Sequence, residues 1–227
     1  YAQPGDTISC TVTATDADGG TDSSSDSIDV ENTNPVVTSV TITPSTGVDT
    51  STTLVCDATA TDDDGDEPTF EFAWSNGSTG VDLGSGAEIR LTPLDSAPGD
   101  RIVCTATATD AEGGTDSDST DVEVENTSPE ISSVAITPNS DVDTSTTLVC
   151  EATATDPDGG EPELTYVWTN DTLGDILGTD NVVDLDPAYA QPGDTISCTV
   201  TATDADGGTD SSSDSIDVEN TNPVVTS

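Results

Sequence analysis

Five short acidic turns are the residues of this 227-residue sequence whose type and spacing most clearly suggest chemistry. Each turn places two carboxylates two residues apart, directly before a glycine. Calcium takes about 6–8 oxygen ligands from carboxylates, carbonyls and water, and glycine lets the backbone turn around them. The turns therefore supply candidate calcium ligands. They read TDADGGTD at 15–22, TDDDGDEP at 61–68, TDAEGGTD at 109–116, TDPDGGEP at 155–162 and TDADGGTD at 203–210.

The charge balance restricts the classes of partner and of activity. There are 46 acidic residues against 2 basic ones, which gives a net charge of −44. Such a surface repels nucleic acid and anionic membrane and attracts divalent cations. The sequence has no histidine, lysine or nucleophile motif, and its carboxylates are spread evenly, so we expect no enzyme. No apolar run approaches the roughly 18 residues of a membrane span, so we expect no membrane insertion in this segment.

The sequence is internally repeated, which sets the expected domain organisation. Residues 1–39 recur without change at 189–227, and a shorter period of 94 residues separates Pro35, Pro129 and Pro223. Such periodicity is typical of repeat architectures. We predict the last third of an incomplete domain (strands F and G), two full domains and the start of a further repeat. Their bounds are 1–34, 35–128, 129–222 and 223–227.

Strands must position the acidic turns, because alternation of apolar and polar residues dominates each repeat. TTLVCDATA, FEFAW and RIVCTATA each direct every second side chain to one face, and Gly, Pro and Asp interrupt the pattern about every ten residues. These features predict an all-β sandwich with Phe70, Phe72, Trp74 and Trp168 in its core.

The order Cys56, Trp74, Cys104, repeated as Cys150, Trp168, Cys198, resembles the immunoglobulin fold. The resemblance implies tandem immunoglobulin-like domains stacked end to end, each with a B–F disulfide packed on the strand-C tryptophan. It pairs Cys56 with Cys104 and Cys150 with Cys198, and leaves Cys10 with a partner outside the chain; buried free thiols are the alternative. Ile102 and Ile196 occupy the position of the family's tyrosine corner, which is therefore absent or built otherwise. Disulfides indicate an oxidising compartment.

In such a sandwich the BC and FG loops lie side by side where the chain enters, next to the linkers VENTNP and VENTSP. This arrangement resembles the interdomain calcium sites of cadherins and the Asp-x-Asp-Gly turns of bacterial cadherin-like and PKD-like repeats. It implies Ca²⁺ at each junction. Two other interpretations stay open: good turn formers on a soluble fibre, and adaptation of the surface to high salt. The predicted ligands are Glu31, Asn32, Asn34, Asp62, Asp64, Asp110 and Glu112 for one domain, and Glu125, Asn126, Asp156, Asp158, Asp204 and Asp206 for the next.

Two equivalent asparagines begin glycosylation triplets just after the strand-C tryptophans. They are Asn76 in NGS and Asn170 in NDT, and we predict possible glycosylation there. Chance occurrence in a sequence rich in Ser and Thr is the alternative.

The whole chain resembles the tandem immunoglobulin-like repeats of long bacterial cell-surface or extracellular fibre proteins. The resemblance implies a structural repeat array of an extracellular filament, stiffened by cations, with further copies of the same repeat as partners. Continuity of one chain and assembly of subunits, in which another chain completes the 1–34 domain, are both open. The alternatives are the stalk of a cell-surface adhesin, a carbohydrate-binding module, or a spacer in a secreted enzyme.

Overall fold

The protein is all-β in a computed structural model that describes residues 2–222; the predicted start of a further repeat at 223–227 lies outside them. Sixteen strands occupy the described residues. They fall into two compact units, one comprising Tyr1–Val48, Thr52–Ser96 and Asp100–Val124, the other Asp49–Ser51, Ala97–Gly99 and Glu125–Ser227. Nowhere in the described residues is there a helix with the length and apolar character needed to cross a membrane.

The first unit contains a two-stranded hairpin and a sandwich. The sandwich packs a three-stranded sheet, β3-β4-β7, against a four-stranded sheet, β6-β5-β8-β9, and all pairings are antiparallel. In the lettering of the fold, β4, β5, β8 and β9 are strands B, C, F and G. The strands are β1 (Thr7–Thr15), β2 (Thr21–Asp29), β3 (Val36–Thr43), β4 (Thr53–Thr61), β5 (Thr69–Asn76), β6 (Val81–Ser85), β7 (Glu88–Arg90), β8 (Arg101–Thr109) and β9 (Thr115–Glu123).

The second unit repeats this sandwich. Its sheets have the orders β10-β11-β14 and β13-β12-β15-β16. The strands are β10 (Glu130–Thr137), β11 (Thr147–Thr155), β12 (Glu163–Asn170), β13 (Asp175–Gly178), β14 (Val182–Asp184), β15 (Thr195–Thr203) and β16 (Thr209–Asp217).

The disulfides join the two sheets of each sandwich and confirm the predicted pairs. Cys56 is bonded to Cys104 and Cys150 to Cys198, each pair separated by 48 residues. The tryptophan of strand C is fully buried beside its bridge. Trp74 Nε1 donates to Gly86 O at 2.8 Å, and Trp168 Nε1 donates to the equivalent Asp180 O at 3.0 Å. The immunoglobulin-like fold is therefore built twice on the same core.

Two predicted core residues are placed differently. Phe70 and Phe72 are only half-buried, and their rings stack with centroids 6.1 Å apart. Phe72 packs against the buried cluster around Trp74, as predicted, whereas Phe70 lies outside that cluster, so the prediction is wrong for Phe70. The rings line a surface groove whose opposite wall, residues 85–87, is made of small side chains and cannot cover them.

The hairpin of the first unit forms a sheet of its own, in which β1 pairs with β2 over nine positions. Its alternating face carries Ile8, Cys10 and Val12, all exposed, with Val12 at 67% of its full accessibility. The equivalent Ile196, Cys198 and Val200 of β15 are buried completely, because the second sandwich covers them. Burial of this apolar face thus depends on what packs against it, and not on its sequence.

Candidate functional site

The linker, the BC loop and the FG loop meet at one end of the first sandwich. Asn32 Nδ2 donates a 2.9 Å hydrogen bond to Asp110 Oδ2 in the FG loop. The neighbouring Thr33 N donates at 2.7 Å to Asp64 Oδ2 in the BC loop. The linker is therefore tied to both acidic turns by carboxylates predicted to be ligands.

Each turn is organised by its own first carboxylate. Asp110 Oδ1 accepts the backbone N–H groups of Glu112 at 3.0 Å and Gly114 at 2.6 Å, and Asp62 Oδ1 accepts that of Asp64 at 2.8 Å. In the hairpin, Asp16 forms the same turn. The turn geometry is thus set by the local sequence, as expected of Asp side chains that bond to their own backbone.

The second sandwich reproduces the arrangement 94 residues later. Asn126 Nδ2 donates to Asp204 Oδ2 at 3.0 Å, and Thr127 N donates to Asp158 Oδ2 at 2.6 Å. Asp204 Oδ1 accepts N–H groups of its own loop, and Asp156 Oδ1 accepts the N–H of Asp158 at 2.9 Å. The structure therefore gathers Asn, BC-loop Asp and FG-loop Asp in both units, while Glu31, Glu112, Glu125 and Asp206 have exposed side chains.

The FG-loop aspartates are buried anions held by hydrogen-bond donors. Asp110 is 7% and Asp204 8% exposed. The hydrogen bond from Asn32 is the main cause of the lowered pKa of Asp110, supported by backbone amides of its loop against the effect of burial. For Asp204, burial raises the pKa, but Asn126 and the loop amides together outweigh it, so the pKa is lowered. Both carboxyls are therefore ionised at neutral pH.

The pKa of Glu112 moves in the opposite direction. The largest cause of the raised pKa is partial desolvation of the Glu112 carboxyl by its surroundings. A hydrogen bond with Asp66 and the negative charges of Asp66 and Asp110 raise the pKa further. The second unit has Gly160 and Asp206 at these two positions, so this carboxyl pair belongs to the first unit alone.

Two buried oxygens in the first site have no hydrogen-bond donor. They are Asn32 Oδ1 and Asp62 Oδ2, on the linker and the BC loop. Arg101 and Asp121, 2.5 Å apart, form an ion pair between β8 and β9. The candidate ligands are all oxygens, and two of them accept no hydrogen bond. Such a set of ligands fits calcium. Against a preformed site, no three carboxylates converge at ligating distance among residues 2–222.

The predicted glycosylation of Asn76 and Asn170 is wrong. Both side chains are buried, at 1% and 0% exposure, and the Nδ2 atom that would carry a glycan is already a donor. Asn76 Nδ2 bonds to Asp95 O and Asp100 Oδ2, at 3.1 and 2.7 Å. Since a glycosyl group on that nitrogen would break these bonds and has no space, the folded domain excludes it.

Strand G carries carboxylates that the sequence reasoning missed. Asp116 Oδ2 accepts Val37 N at 2.8 Å, and the equivalent Asp210 Oδ2 accepts Ile131 N at 2.9 Å, so β9 and β16 hold β3 and β10 of the opposite sheets. The signal available was the recurrence of Thr-Asp-Ser after every FG turn, at 21–23, 115–117 and 209–211.

Comparison with known proteins finds likenesses among solved structures only. No protein-family profile and no curated protein matches it. Among solved structures, the fibronectin(III)-like modules of Clostridium thermocellum CbhA are 21% identical with a TM-score of 0.31, covering 80% of this chain and 94% of that one. A Ca²⁺-stabilised adhesin of an Antarctic bacterium that binds ice is 22% identical with a TM-score of 0.30, over 94% of this chain and 56% of that one.

A two-domain fibronectin type-III segment of chicken tenascin is 14% identical with a TM-score of 0.39, covering 82% of this chain and all of that one. The chain thus spans little more than half of the adhesin's length. At these identities and TM-scores the likeness adds nothing to the two disulfide-bonded immunoglobulin-like sandwiches described above.

Proposed function

We propose that the chain is part of a structural repeat array of an extracellular filament, in which the sandwiches themselves bear load. One observation carries this proposal: the contacts that hold the sandwich together recur at a constant offset of 94 residues. They include the bridge Cys56–Cys104, Trp74 to Gly86 O, Asn76 to Asp100, Asn32 to Asp110 and Val37 to Asp116, each with its counterpart in the second unit.

Several exposed and half-exposed positions, by contrast, differ between the units. Phe70 and Phe72 become Leu164 and Tyr166, and the ion-paired Arg101 becomes Thr195. A recognition surface that is repeated in both units would keep its exposed side chains and tolerate substitutions in the buried core. The opposite pattern supports a role that depends on the sandwich and not on a particular face.

Stretching the full chain between its ends tests this role directly. The disulfides should shield 48 residues per unit from extension, so reduction should add roughly 170 Å of released length per unit at about 3.5 Å per residue. We expect two equal unfolding steps in the oxidised protein, each lengthened by that amount after reduction. A single gradual extension without resolved steps would contradict a load-bearing array.

The proposal includes calcium at the acidic loops. Its support is the oxygen-only donor set and the unpartnered Asn32 Oδ1 and Asp62 Oδ2. Bound calcium would offset the mutual repulsion of the carboxylates; in the first unit Asn32, Asp62, Asp64 and Asp110 would hold it. In the second, Asn126, Asp156, Asp158 and Asp204 would do so.

Thermal unfolding of the full chain in calcium, in magnesium, and in sodium at equal ionic strength tests this part. Calcium at about 100 times its Kd should stabilise each folded unit by about 2.7 kcal/mol. Asp62→Asn should weaken the response of the first unit, whereas the matched change Asp63→Asn, at an exposed side chain of the same loop, should not. Equal responses to calcium and sodium would remove calcium from the proposal.

One observation favours a second candidate, a carbohydrate-binding module. The stacked rings of Phe70 and Phe72 lie in a surface groove beside the polar side chains of Glu71, Ser85 and Thr107. Sugars bind to such exposed aromatic faces. Binding to a glycan array that is lost in Phe70→Ala would support this candidate, and absence of binding would exclude it for the glycans tested.

A further inference from the structure

A cavity of about 350 Å³ opens on the surface of the second sandwich. Strand β13, the end of β14 and the loop after β14 form its walls. Its volume lies within the range of pockets that hold ligands, about 300–1,000 Å³. The residues that line it include Ile176, Leu177, Asp184, Leu185, Asp186 and Tyr189.

Exposed apolar side chains border this cavity. Ile176 is 69% and Tyr189 60% exposed, whereas Leu185, which also lines the cavity, is buried. Exposed apolar groups around a concavity are typical of ligand-binding grooves. The walls can therefore cover an aliphatic or planar group of a ligand.

Two carboxylates stand beside the apolar walls. Asp184 Oδ1 accepts a 2.5 Å hydrogen bond from Thr147 Oγ1, and Asp186 Oδ1 accepts one of 2.8 Å from Ala188 N. The Oδ2 atom of each accepts no hydrogen bond from the described residues, so both stay available to a ligand. The two basic residues of the sequence both lie in the first sandwich, so no side chain of the second one neutralises this charge.

The chemistry of the cavity differs from that of the same surface in the first sandwich. There Asp82 and Asp95 stand in place of the two exposed apolar residues, and Arg90 stands in place of the first carboxylate. All three are exposed although another sandwich follows in the chain, so exposure at these positions does not result from a place near the end of the chain. Apolar walls beside negative charge therefore distinguish the second sandwich, and they are not a requirement of the fold.

We propose that the cavity binds an arginine side chain of a basic polypeptide. The guanidinium bonds to the Oδ2 atoms of Asp184 and Asp186, and charge-assisted bonds of this kind are strong. Its planar face stacks on the ring of Tyr189, and its aliphatic stem packs on Ile176 and Leu185.

The charge of the whole chain selects the kind of partner. With a net charge of −44, the chain attracts a basic polypeptide and repels a second copy of itself. A neutral sugar gains nothing from this electrostatic field. The inference goes beyond the proposed array, because a load-bearing sandwich does not require a ligand.

Backbone amide NMR of the full chain, titrated with the peptide acetyl-Gly-Arg-Gly-amide at about 0.15 M salt, tests the proposal. We expect saturable shifts confined to amides within residues 176–190, and none at the equivalent residues 82–96 of the first sandwich. The matched peptide with citrulline, which keeps the shape of arginine without its charge, should bind at least about ten-fold more weakly.

A substitution borrowed from the first sandwich locates the site without unfolding it. Asp184→Arg introduces the residue that the fold already accepts as Arg90, and it should weaken binding at least about ten-fold. Glu163→Arg makes the same charge change at an exposed residue that does not line the cavity, and should weaken binding less than about two-fold. Tyr189→Ala should weaken binding about three-fold through loss of the stacked ring, while its backbone O still accepts from Asn170.

Shifts spread evenly over the acidic loops of both sandwiches, or equal binding of the citrulline peptide, would overturn the proposal. So would tighter binding of a sugar such as glucose at the same amides. Shifts of these amides that depend on chain concentration and vanish in Arg90→Ala would make a second copy the partner, and would overturn a basic polypeptide as the occupant. None of these results bears on the stretching experiment, which tests the load-bearing role separately.

Discussion

The buried amide of Asn170 donates hydrogen bonds of 2.8 Å to Asp194 Oδ2 and 2.9 Å to Tyr189 O. Its Oδ1 accepts the backbone N–H groups of Thr172 and Leu173. The two bonds that the side chain donates thus join the end of strand C to the approach of strand F, and the two that it accepts hold the turn after strand C. An asparagine that reads as a glycosylation triplet is a structural residue of the domain.

Replacing Asn170 with alanine should destabilise the second unit by about 2–4 kcal/mol, because the buried Asp194 carboxylate and two backbone N–H groups lose partners. Chemical unfolding followed by Trp168 fluorescence in a Trp74→Phe background measures this unit. The matched change Asn181→Ala, at an exposed side chain, should alter the free energy of unfolding by less than about 0.5 kcal/mol. Equal effects of the two changes would contradict the role of Asn170.

The lowered pKa of Asp110 makes its contribution to stability depend on pH. Since the folded state holds the ionised form, this contribution is complete above the ordinary pKa of an aspartate. It is lost as the pH falls through the lowered pKa of the folded state. The difference in melting temperature between the parent and Asp110→Asn should therefore be largest near neutral pH and shrink towards about pH 2.

This comparison is best made in a Glu112→Gln background, because the raised pKa of Glu112 gives the opposite sign. Its contribution to stability is present at low pH and is lost as the pH rises through the raised pKa. Asp63→Asn serves as the control for removal of one charge from the neighbouring loop. A difference between parent and Asp110→Asn that is constant with pH would show that the hydrogen bonds do not depend on ionisation.

Gly114 leaves space for the junction of linker and FG loop. A Cβ atom there would lie 2.9 Å from Asn32 Nδ2 and closer still to Asp110 Oδ2 and Asn34 Oδ1. Gly114→Ala should therefore destabilise the first unit by about 1–3 kcal/mol, because those side chains are tied together and must move apart. Thermal unfolding followed by Trp74 fluorescence measures the loss.

The control for this change is Gly178→Ala in strand β13. There the new Cβ would meet only Val183 Cγ2, at an ordinary 3.7 Å, so the free energy of unfolding should change by less than about 1 kcal/mol. If Gly114→Ala were as well tolerated, the linker would not be held as tightly as the hydrogen bonds indicate.

Removal of one disulfide should affect one unit. Cys150→Ala with Cys198→Ala opens a loop of 48 residues and should lower the stability of the second unit by about 4 kcal/mol on chain-entropy grounds. Trp168 fluorescence should report the loss while Trp74 fluorescence reports an unchanged first unit. Simultaneous loss of both signals at the same denaturant concentration would show that the units do not unfold separately.

Much of the fold could be predicted because alternation decides which face of each strand is buried. Leu54, Cys56, Ile102 and Cys104 follow this rule, and the spacing of Cys56 and Trp74 fixed the family resemblance. Phe70 did not follow this rule. Periodicity assigns a residue to one face of its strand but does not show whether a large side chain of the opposite sheet covers it. The pairing of strands could be foreseen, but the extent of cover at one end of the sandwich depends on its loops.

The site was predictable in outline only. The recurrence of acidic turns beside the linker brought Asn32, Asp64 and Asp110 together correctly. The spacing could not show that the oxygens of these carboxylates accept hydrogen bonds from backbone N–H groups. These hydrogen bonds compete with metal ligation. Asp116 was missed and Asn76 was misassigned for a related reason: a polar residue on a strand is taken as solvated until the opposite sheet is known.

The strand order also determines how these molecules behave when crowded. The four-stranded sheets end in β9 and β16, whose sequences TDSDSTDVE and TDSSSDSID set a negative charge at about every third residue along an open edge. The unpaired backbone groups of an open edge can pair with another strand. Like charges facing one another oppose that pairing. Many such chains can therefore lie alongside one another at high density without fusing their sheets into an aggregate.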